Sequence, residues 1–300
     1  MSGGRVYVGP AGWSYDDWQG IVYPRCSGLA RLDAVARLFN LVEINTTFYG
    51  PPAPAAAARW AERVRGIPGF RFTAKLVRRF THDDPRTWTV ADRDSFRDGL
   101  QPLREAGLLG PILAQFPASF TATDAGLHRL ARIRRAFPDQ RLVLEVRHRS
   151  WIEPRVLARV RDLDCSLCSV DQPPARDSIP LGAWITGPIG YLRLHGRNAA
   201  KWSDPKAAVH ERYDWRYSEP ETRELVQVAT GLRERTEELH VVANNHFAGK
   251  GPATALEIAH ALTGASVPLP SELVAAFPRL ARLRPDPSAA DGGSAGSPER

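Results

Sequence analysis

The feature that most constrains this chain is a regular alternation of short β-rich runs with segments of helical periodicity. We predict eight strands, at 5–9, 41–45, 70–75, 111–116, 141–146, 165–170, 191–195 and 239–244. Amphipathic helices are predicted at 29–39, 54–64, 95–106, 124–136, 153–162, 221–236 and 254–262. The strand spacing is close to the length of a βα unit. Eight such units predict an α/β protein with a single-domain (β/α)8 barrel of the TIM type.

An open, doubly wound sheet is the alternative fold. Such a sheet normally carries G-x-G-x-x-G after its first strand, and the segment Gly9-Pro-Ala-Gly12 does not fit that pattern. Two connections of the predicted barrel are unusual. The sixth, 171–190, is predicted to lack a helix, and the seventh, 195–239, is long enough to cross the barrel mouth.

Composition separates the last sixteen residues from the rest of the chain. Twelve of them are Pro, Gly, Ala or Ser, too few apolar groups to offset the entropy of ordering them. We therefore predict a barrel domain over 1–284 and a disordered tail over 285–300. The tail has three acidic residues and one basic residue, which leaves +9 for the barrel domain within a chain of net charge +7.

Hydropathy predicts a cytoplasmic protein with no membrane partner. The chain has no run of about 18 apolar residues, and its first residues lack the apolar core of a signal peptide. Its 43% hydrophobic content is too high for a disordered chain. Cys165 and Cys168 are three positions apart on one predicted strand, so they point to opposite faces and cannot ligate the same ion.

Catalytic residues of a barrel lie at the carboxyl ends of its strands, and seven consecutive predicted strands end in polar side chains. These strand-end residues are Asn45, Lys75, Gln115, Arg147, Asp171, His195 and Asn244. Residues two apart on a strand share a face. The pairs Glu43 and Asn45, Glu145 and Arg147, and Arg193 and His195 are therefore predicted to point into the mouth. The residues between them, Ile44, Val146 and Leu194, would face the helices.

Charges gathered in a barrel mouth have to pair, because burying an isolated charge costs several kcal/mol. A buried ion-pair network that only closes the barrel top is one interpretation. The other is a site in which three cations beside carboxylates bind an anionic ligand, a phosphate or a carboxylate. As catalytic residues using general acid/base chemistry we predict Glu43, Glu145 and His195. As substrate-binding residues we predict Asn45, Lys75, Arg147, Asp171, Arg193, Asn244, Asn245, Trp13 and Tyr49.

We predict no cofactor. A divalent ion held jointly by Glu43, Glu145, Asp171 and His195 is the alternative, but neighbouring cations would repel it and no local ligand motif is present. Lys75 could act as a Schiff-base nucleophile; a charged lysine that binds an anion is the favoured interpretation.

Seven segments together resemble one known family, the YecE-like proteins, or domain of unknown function 72. They are Gly9-Pro-Ala-Gly-Trp-Ser-Tyr15, Val42-Glu-Ile-Asn-Thr-Thr-Phe-Tyr49, Phe72-Thr-Ala-Lys75 with Thr81-His82, Gln115-Phe-Pro117, Glu145-Val-Arg-His148 with Ser150-Trp151, Tyr191-Leu-Arg-Leu-His-Gly196 and Asn244-Asn245. The resemblance covers roughly residues 5–265. It implies a TIM-like barrel with these motifs at one mouth and supplies no activity. Pro10-Ala11 and Ala118 depart from the family pattern.

Three functions are open at this point. The leading hypothesis is an enzyme, a hydrolase, lyase or isomerase, acting on an anionic substrate such as a phosphorylated sugar or nucleotide. The second is a nucleic-acid-binding or nuclease-like protein, suggested by the charge of +9 and by aromatic residues after the strands. The third is a non-catalytic regulatory barrel.

Overall fold

The eight predicted strands form one parallel sheet that curls into a barrel. The structure, a computed structural model, describes residues 3–25, 30–202 and 204–284. The strands are β1 (Arg5–Pro10), β2 (Leu41–Ile44), β3 (Arg71–Lys75), β4 (Leu109–Gln115), β5 (Leu142–Glu145), β6 (Cys165–Asp171), β7 (Ile189–Leu194) and β8 (Glu238–Ala243). The strand order β1-β8-β7-β6-β5-β4-β3-β2 confirms the (β/α)8 barrel. The predicted tail, 285–300, lies outside the described residues, and the domain boundary at 284 stays a prediction.

Helices surround the barrel and were mostly predicted to within a few residues. They are α1 (Arg31–Ala36), α2 (Pro54–Val64), α3 (Arg78–Thr81), α4 (Val90–Glu105), α5 (Asp124–Ala136), α6 (Pro154–Asp162), α7 (Ala199–Trp202), α8 (Val209–Arg212), α9 (Glu219–Arg233), α10 (Lys250–Thr263) and α11 (Ser271–Ala276). Helix α4 begins earlier than predicted because Thr89 and Asp92 form a capping box. The prediction of 29–39 for α1 was too long, and residue 29 lies outside the described part. None of the described helices is long and apolar enough to cross a membrane.

The two unusual connections are confirmed. Residues 172–188, all of them described, contain no helix, whereas the seventh connection carries α7 and α8 ahead of α9. It therefore has enough ordered structure to place side chains over the barrel.

The barrel closes between β1 and β2 by a narrow seam. β1 pairs along its whole length with β8, whereas its pairing with β2 is limited, in the described residues, to an isolated bridge between Ala11 and Glu43. A Cβ on Gly9 would lie 1.8 Å from the Leu41 carbonyl oxygen, so only glycine permits this approach. Asn40, the residue before β2, replaces some of the missing strand pairing. Its side chain accepts a hydrogen bond from the Val8 amide and donates one to the Val6 carbonyl, both at 2.9 Å.

Alternation along the strands sorts side chains between the barrel interior and the helix layer. The buried interior cluster comprises Tyr7, Ala11, Leu41, Leu113, Val143, Cys168, Val170, Ile189, Tyr191 and Val242. Ile44, Val146 and Leu194 pack in the outer core, as predicted, and so does Cys165. The strand register therefore directs Glu43, Glu145 and Arg193 inward.

The amino end of the barrel holds a charged cluster of its own. Glu238 of β8 pairs with Arg5 at 2.7 Å and Arg141 at 2.9 Å, and its Oε2 lies 3.3 Å from Nε2 of His240. The hydrogen bond from His240 and the charges of Arg141 and Arg5 outweigh burial and lower the pKa of Glu238 to about 2. Because this end of a TIM barrel serves stability, we assign the cluster a structural role.

We expect the stability advantage of the wild type over Glu238→Gln to disappear in acid. The folded pKa of about 2 lies below the ordinary value, so the ionised carboxylate stabilises the fold above about pH 4.3. As the pH falls from there toward 2, the unfolded chain binds the proton first and the stabilisation is lost. Urea unfolding at several pH values measures the gap between the two proteins. Exposed Glu62→Gln is the control, and a gap independent of pH would contradict this account.

Candidate functional site

Arg193 lies at the centre of the barrel mouth between two buried carboxylates. Its Nη2 is 2.6 Å from Oε1 of Glu43 and its Nη1 is 2.5 Å from Oε2 of Glu145. Arg193 is only 1% exposed, and both glutamates are fully buried. Burial alone would raise the pKa of Glu145, but the charges of Arg193 and Arg147 and the contact with His195 together outweigh it, and the pKa lies well below its usual range. Arg193 was predicted to bind substrate. In the structure both of its Nη atoms are paired with the carboxylates of Glu43 and Glu145.

Tyr191 and Thr73 also contact this group of buried charges. The sequence analysis did not predict either of them as a site residue. The Tyr191 hydroxyl donates to Oε2 of Glu43 at 2.8 Å and lies 3.1 Å from Oγ1 of Thr73. Burial and the Glu43 charge raise the pKa of Tyr191 well above its ordinary value. The signal for both was present, since Tyr191 precedes Arg193 by two positions and Thr73 precedes Lys75 by two.

His195 is held by hydrogen bonds on both ring nitrogens. Its Nε2 is 3.1 Å from Oε1 of Glu145, and its Nδ1 is 3.0 Å from Nδ2 of Asn244. Burial lowers the pKa of His195 to about 3, so the ring is neutral near pH 7. An amide donor on Nδ1 and a carboxylate on Nε2 assign the ring proton to Nε2. In this tautomer His195 donates to Glu145, and its Nε2 also lies 3.4 Å from Nη2 of Arg147 and Nη1 of Arg193.

Two further cations reach the mouth. Arg147 pairs with Oε1 of Glu145 at 2.8 Å and is 14% exposed; its guanidinium lies 5.4 Å from the Trp202 ring. The Lys75 ammonium lies 4.6 Å from the Phe48 ring. Among the described residues no carboxylate oxygen comes within 4.0 Å of it, so Lys75 forms no ion pair there. Burial, and then the charge of Arg193, lower the pKa of Lys75 to about 8.

A cavity of about 260 Å³ opens beside this network. It is lined by Gln115, Phe116, Pro117, Ala118, Arg147, Trp202, Arg212 and Tyr213. The Trp202 and Tyr213 rings meet edge to face at 5.8 Å and lie 5.9 and 6.1 Å from the His195 ring. Arg212 and Tyr213 were missed because the seventh connection offers no strand end from which to infer a direction.

Asp171 lies outside the central network. It follows the outward parity of β6 and pairs with Arg197 at 2.6 Å, while the Tyr217 hydroxyl donates to its other oxygen. The Gly196 amide donates to the same hydroxyl at 2.9 Å. Burial raises the pKa of Asp171. Asp171 was predicted to bind substrate. In the structure it bonds Arg197 and Tyr217, near the two ends of residues 196–217.

The other predicted binding residues occupy mixed positions. Trp13 packs edge to face on Trp60 and Phe72 in the outer core, and Tyr49 is 80% exposed. Neither lines the cavity, because each belongs to a loop whose chain direction strand parity does not determine. Asn245 donates to the Trp215 carbonyl at 2.9 Å. In the described part of the chain, the buried Oδ1 atoms of Asn45 and Asn245 have no hydrogen-bond partner.

The four side chains considered for a divalent ion do not come together. Glu43 and Glu145 face Arg193, and Asp171 faces Arg197. Within residues 3–25, 30–202 and 204–284 no group of three or more His, Cys, Asp or Glu side chains could hold a metal ion. In the described part of the chain these four residues do not form one ligand set.

The fold and the mouth define a TIM-type barrel protein whose polar residues gather at the carboxyl ends of its strands. The model of one family, described as protein of unknown function DUF72, matches residues 7–276. The chain belongs to this family, and the resemblance drawn from its motifs is confirmed.

Relatives support the same assignment. UPF0759 protein YunF of Bacillus subtilis is 24% identical over 257 residues, which cover 81% of this chain and 90% of YunF. UPF0759 protein YecE of Escherichia coli K12 is 31% identical over 115 residues, 38% of this chain and 39% of YecE. A solved DUF72 structure from Thermotoga maritima has a TM-score of 0.75 at 31% identity and covers 86% of this chain and 99% of its own. One from Enterococcus faecalis has 0.78 at 25%, covering 88% and 97%.

Proposed function

We propose that this protein is an enzyme that binds a small anionic substrate, bearing a phosphate or a carboxylate, in the cavity beside Arg147. The observation that carries the proposal is the convergence of Arg147 and Arg212 on one cavity next to the buried Glu145. In the described part of the chain no carboxylate lies within 4.0 Å of Arg212, whose Nη2 donates to the Asp204 carbonyl. Guanidinium groups suit planar, bidentate contacts with anions.

The contact between Arg147 and Glu145 couples binding of the anion to the basicity of Glu145. Arg147, Arg193 and His195 together keep the pKa of Glu145 low, which makes the carboxylate a weak base. A bound anion would compete for Arg147, the most exposed of these three side chains. With part of its compensating charge withdrawn, Glu145 would become more basic. Substrate binding would thereby prepare Glu145 for general acid/base catalysis.

The aromatic side chains favour a substrate with a flat or ring-shaped part. Trp202 and Tyr213 form one wall of the cavity and present apolar faces suited to a sugar ring or a base. Arginine residues occur in helices α2, α4, α5, α6 and α9 all around the barrel, a distribution that favours this proposal over an extended nucleic-acid surface.

We expect Arg147→Gln and Arg212→Gln each to weaken binding of phosphate esters or carboxylates by about 10- to 100-fold. A hydrogen bond to a charged group contributes about 1.5–3 kcal/mol. Isothermal titration with a panel of both ligand classes measures the effect. Arg65→Gln is the matched control, because Arg65 directly follows α2 at the end away from the mouth and its side chain is 78% exposed. Equal binding by all four proteins, or none by the wild type, would refute the proposal.

A further inference from the structure

Lys75 differs from the other lysines of this chain in its surroundings. The chain has only four lysines. Lys201 pairs with Glu211 at 3.2 Å and Lys250 with Asp214, while Lys206 lies exposed in the seventh connection. Lys75 ends β3 inside the mouth, above the Phe48 ring. Among the lysines in the described part of the chain, Lys75 is the one that ends a barrel strand, and its charge interacts with those of Glu43, Glu145 and Arg193.

The charged groups that face Lys75 come from several neighbouring elements, and their positive and negative charges balance. They are Glu43 of β2, Glu145 of β5 with Arg147 after it, Arg193 of β7, and His82 after α3. The two glutamates are already neutralised by the two arginines. Lys75 therefore adds an uncompensated charge, and burial adds to the penalty, so the neutral amine is unusually accessible near pH 8.

The position of Lys75 relative to Arg147 suits a small substrate. β3, β4 and β5 are successive neighbours in the sheet, and adjacent strands lie about 4.8 Å apart. Across the sheet Lys75 and Arg147 are thus about 10 Å apart. The register pairs Lys75 with Leu113 and Leu113 with Val143, so Arg147 lies four positions further along β5 and the loop after it. Both side chains point into the mouth and their charges interact, so both can contact one small molecule there.

We propose that Lys75 is a nucleophilic amine that forms an imine with the carbonyl group of a small substrate whose anionic group is bound by Arg147. This inference rests on the proposed function and names its substrate class as anionic aldehydes or ketones.

The covalent step uses only the lysine, the carbonyl compound and protons. The Nζ lone pair attacks the carbonyl carbon, and the C=O π electrons move to oxygen, which takes up a proton as nitrogen loses one. The resulting carbinolamine loses water to leave a protonated C=N bond. Glu145 or Glu43 would transfer the protons. Nothing is oxidised or reduced in this step.

Trapping with borohydride tests the inference on the full chain. The wild type is mixed with dihydroxyacetone phosphate, which carries a ketone and a phosphate, and any imine is reduced to a secondary amine. Peptide mass spectrometry then locates the adduct, with the peptides of the other three lysines as internal controls. We expect at least tenfold more adduct on Lys75 than on any of these, and competition by glycerol 3-phosphate, which lacks the carbonyl. Lys75→Met should lose the adduct and Lys206→Met should keep it.

The outcomes separate the two proposals. If glycerol 3-phosphate binds and Arg147→Gln weakens that binding, but Lys75 is not enriched in adduct, the imine inference is overturned and the anion-binding function stands. If uncharged dihydroxyacetone modifies Lys75 as fast as its phosphate does, and glycerol 3-phosphate does not compete, the amine is reactive but the anion-binding function fails.

The pH dependence of trapping provides a readout that does not need a variant. Adduct formation on Lys75 should rise through about pH 8, where half of the amine is neutral, and level off about one pH unit above that value. An ordinary lysine titrates near pH 10.4, so a rate that continues to rise through pH 10 would overturn the inference.

Discussion

Replacing Arg193 with methionine should lower the free energy of unfolding by about 3–5 kcal/mol, because it leaves two buried carboxylates without their shared cation. Glu43 and Glu145 are both fully buried, and each contacts a different nitrogen of the guanidinium. Methionine approximates the length and volume of the arginine stem, so the effect measures charge more than packing. Urea denaturation at pH 7 gives the difference.

Two further variants make that result interpretable. Arg65→Met removes an exposed ion pair with Glu62 and should cost less than about 1 kcal/mol. Adding Glu43→Gln and Glu145→Gln to Arg193→Met removes the uncompensated charges and should restore part of the loss. A cost below about 1 kcal/mol for Arg193→Met alone would show that the three groups are not coupled as the geometry indicates.

We expect Asp171→Ala to release the segment 196–217 and, with it, the wall of the cavity. The carboxylate binds Arg197 and Tyr217, two contacts of a kind that contribute about 1.5–3 kcal/mol each. Local opening should therefore become at least about tenfold more frequent. Trypsin would then cleave after Arg197, Lys201, Lys206 or Arg212 faster than in the wild type, and ligand binding at the cavity should weaken in parallel.

Glu224→Ala is the comparison for this experiment. Glu224 also pairs with Arg197, at 2.9 Å, but its side chain is 51% exposed, so its removal should change cleavage little. If Asp171→Ala left the cleavage rate between 197 and 212 unchanged while global stability fell, Asp171 would contribute to the core and not to the attachment of this segment.

The sequence predicts the part of this protein that follows strict periodicity. Eight strands and their inward parity follow from alternation along each run, which is why Glu43, Glu145 and Arg193 were predicted to face the mouth and do so. The same alternation places Tyr191 on the inward face, although this residue lies before the end of its strand. Periodicity also predicts where most of the helices lie. It does not predict a helix end that is set by a capping residue, such as Thr89 at the start of α4.

Residues outside the strands carry no such directional signal. Trp13 and Tyr49 follow strands in the chain but lie in the outer core and on the surface. Arg212 and Tyr213 lie far from any strand end and reach the cavity because the seventh connection folds back over the barrel. For Asp171 the strand was predicted but the direction of the side chain was not. Neighbouring positions on a strand point to opposite faces, so an error of one position exchanges the interior for the helix layer.

The narrow seam between β1 and β2 bears on how the chain is made. β1 is paired along its full length only with β8, and Arg5 bonds Glu238, 233 positions later. At a synthesis rate of about 5–20 residues per second, β8 is translated roughly 10–50 s after β1. The backbone groups of β1 have no partner strand until then. During that interval β1 is an unpaired edge strand, the kind of segment that can pair with another molecule.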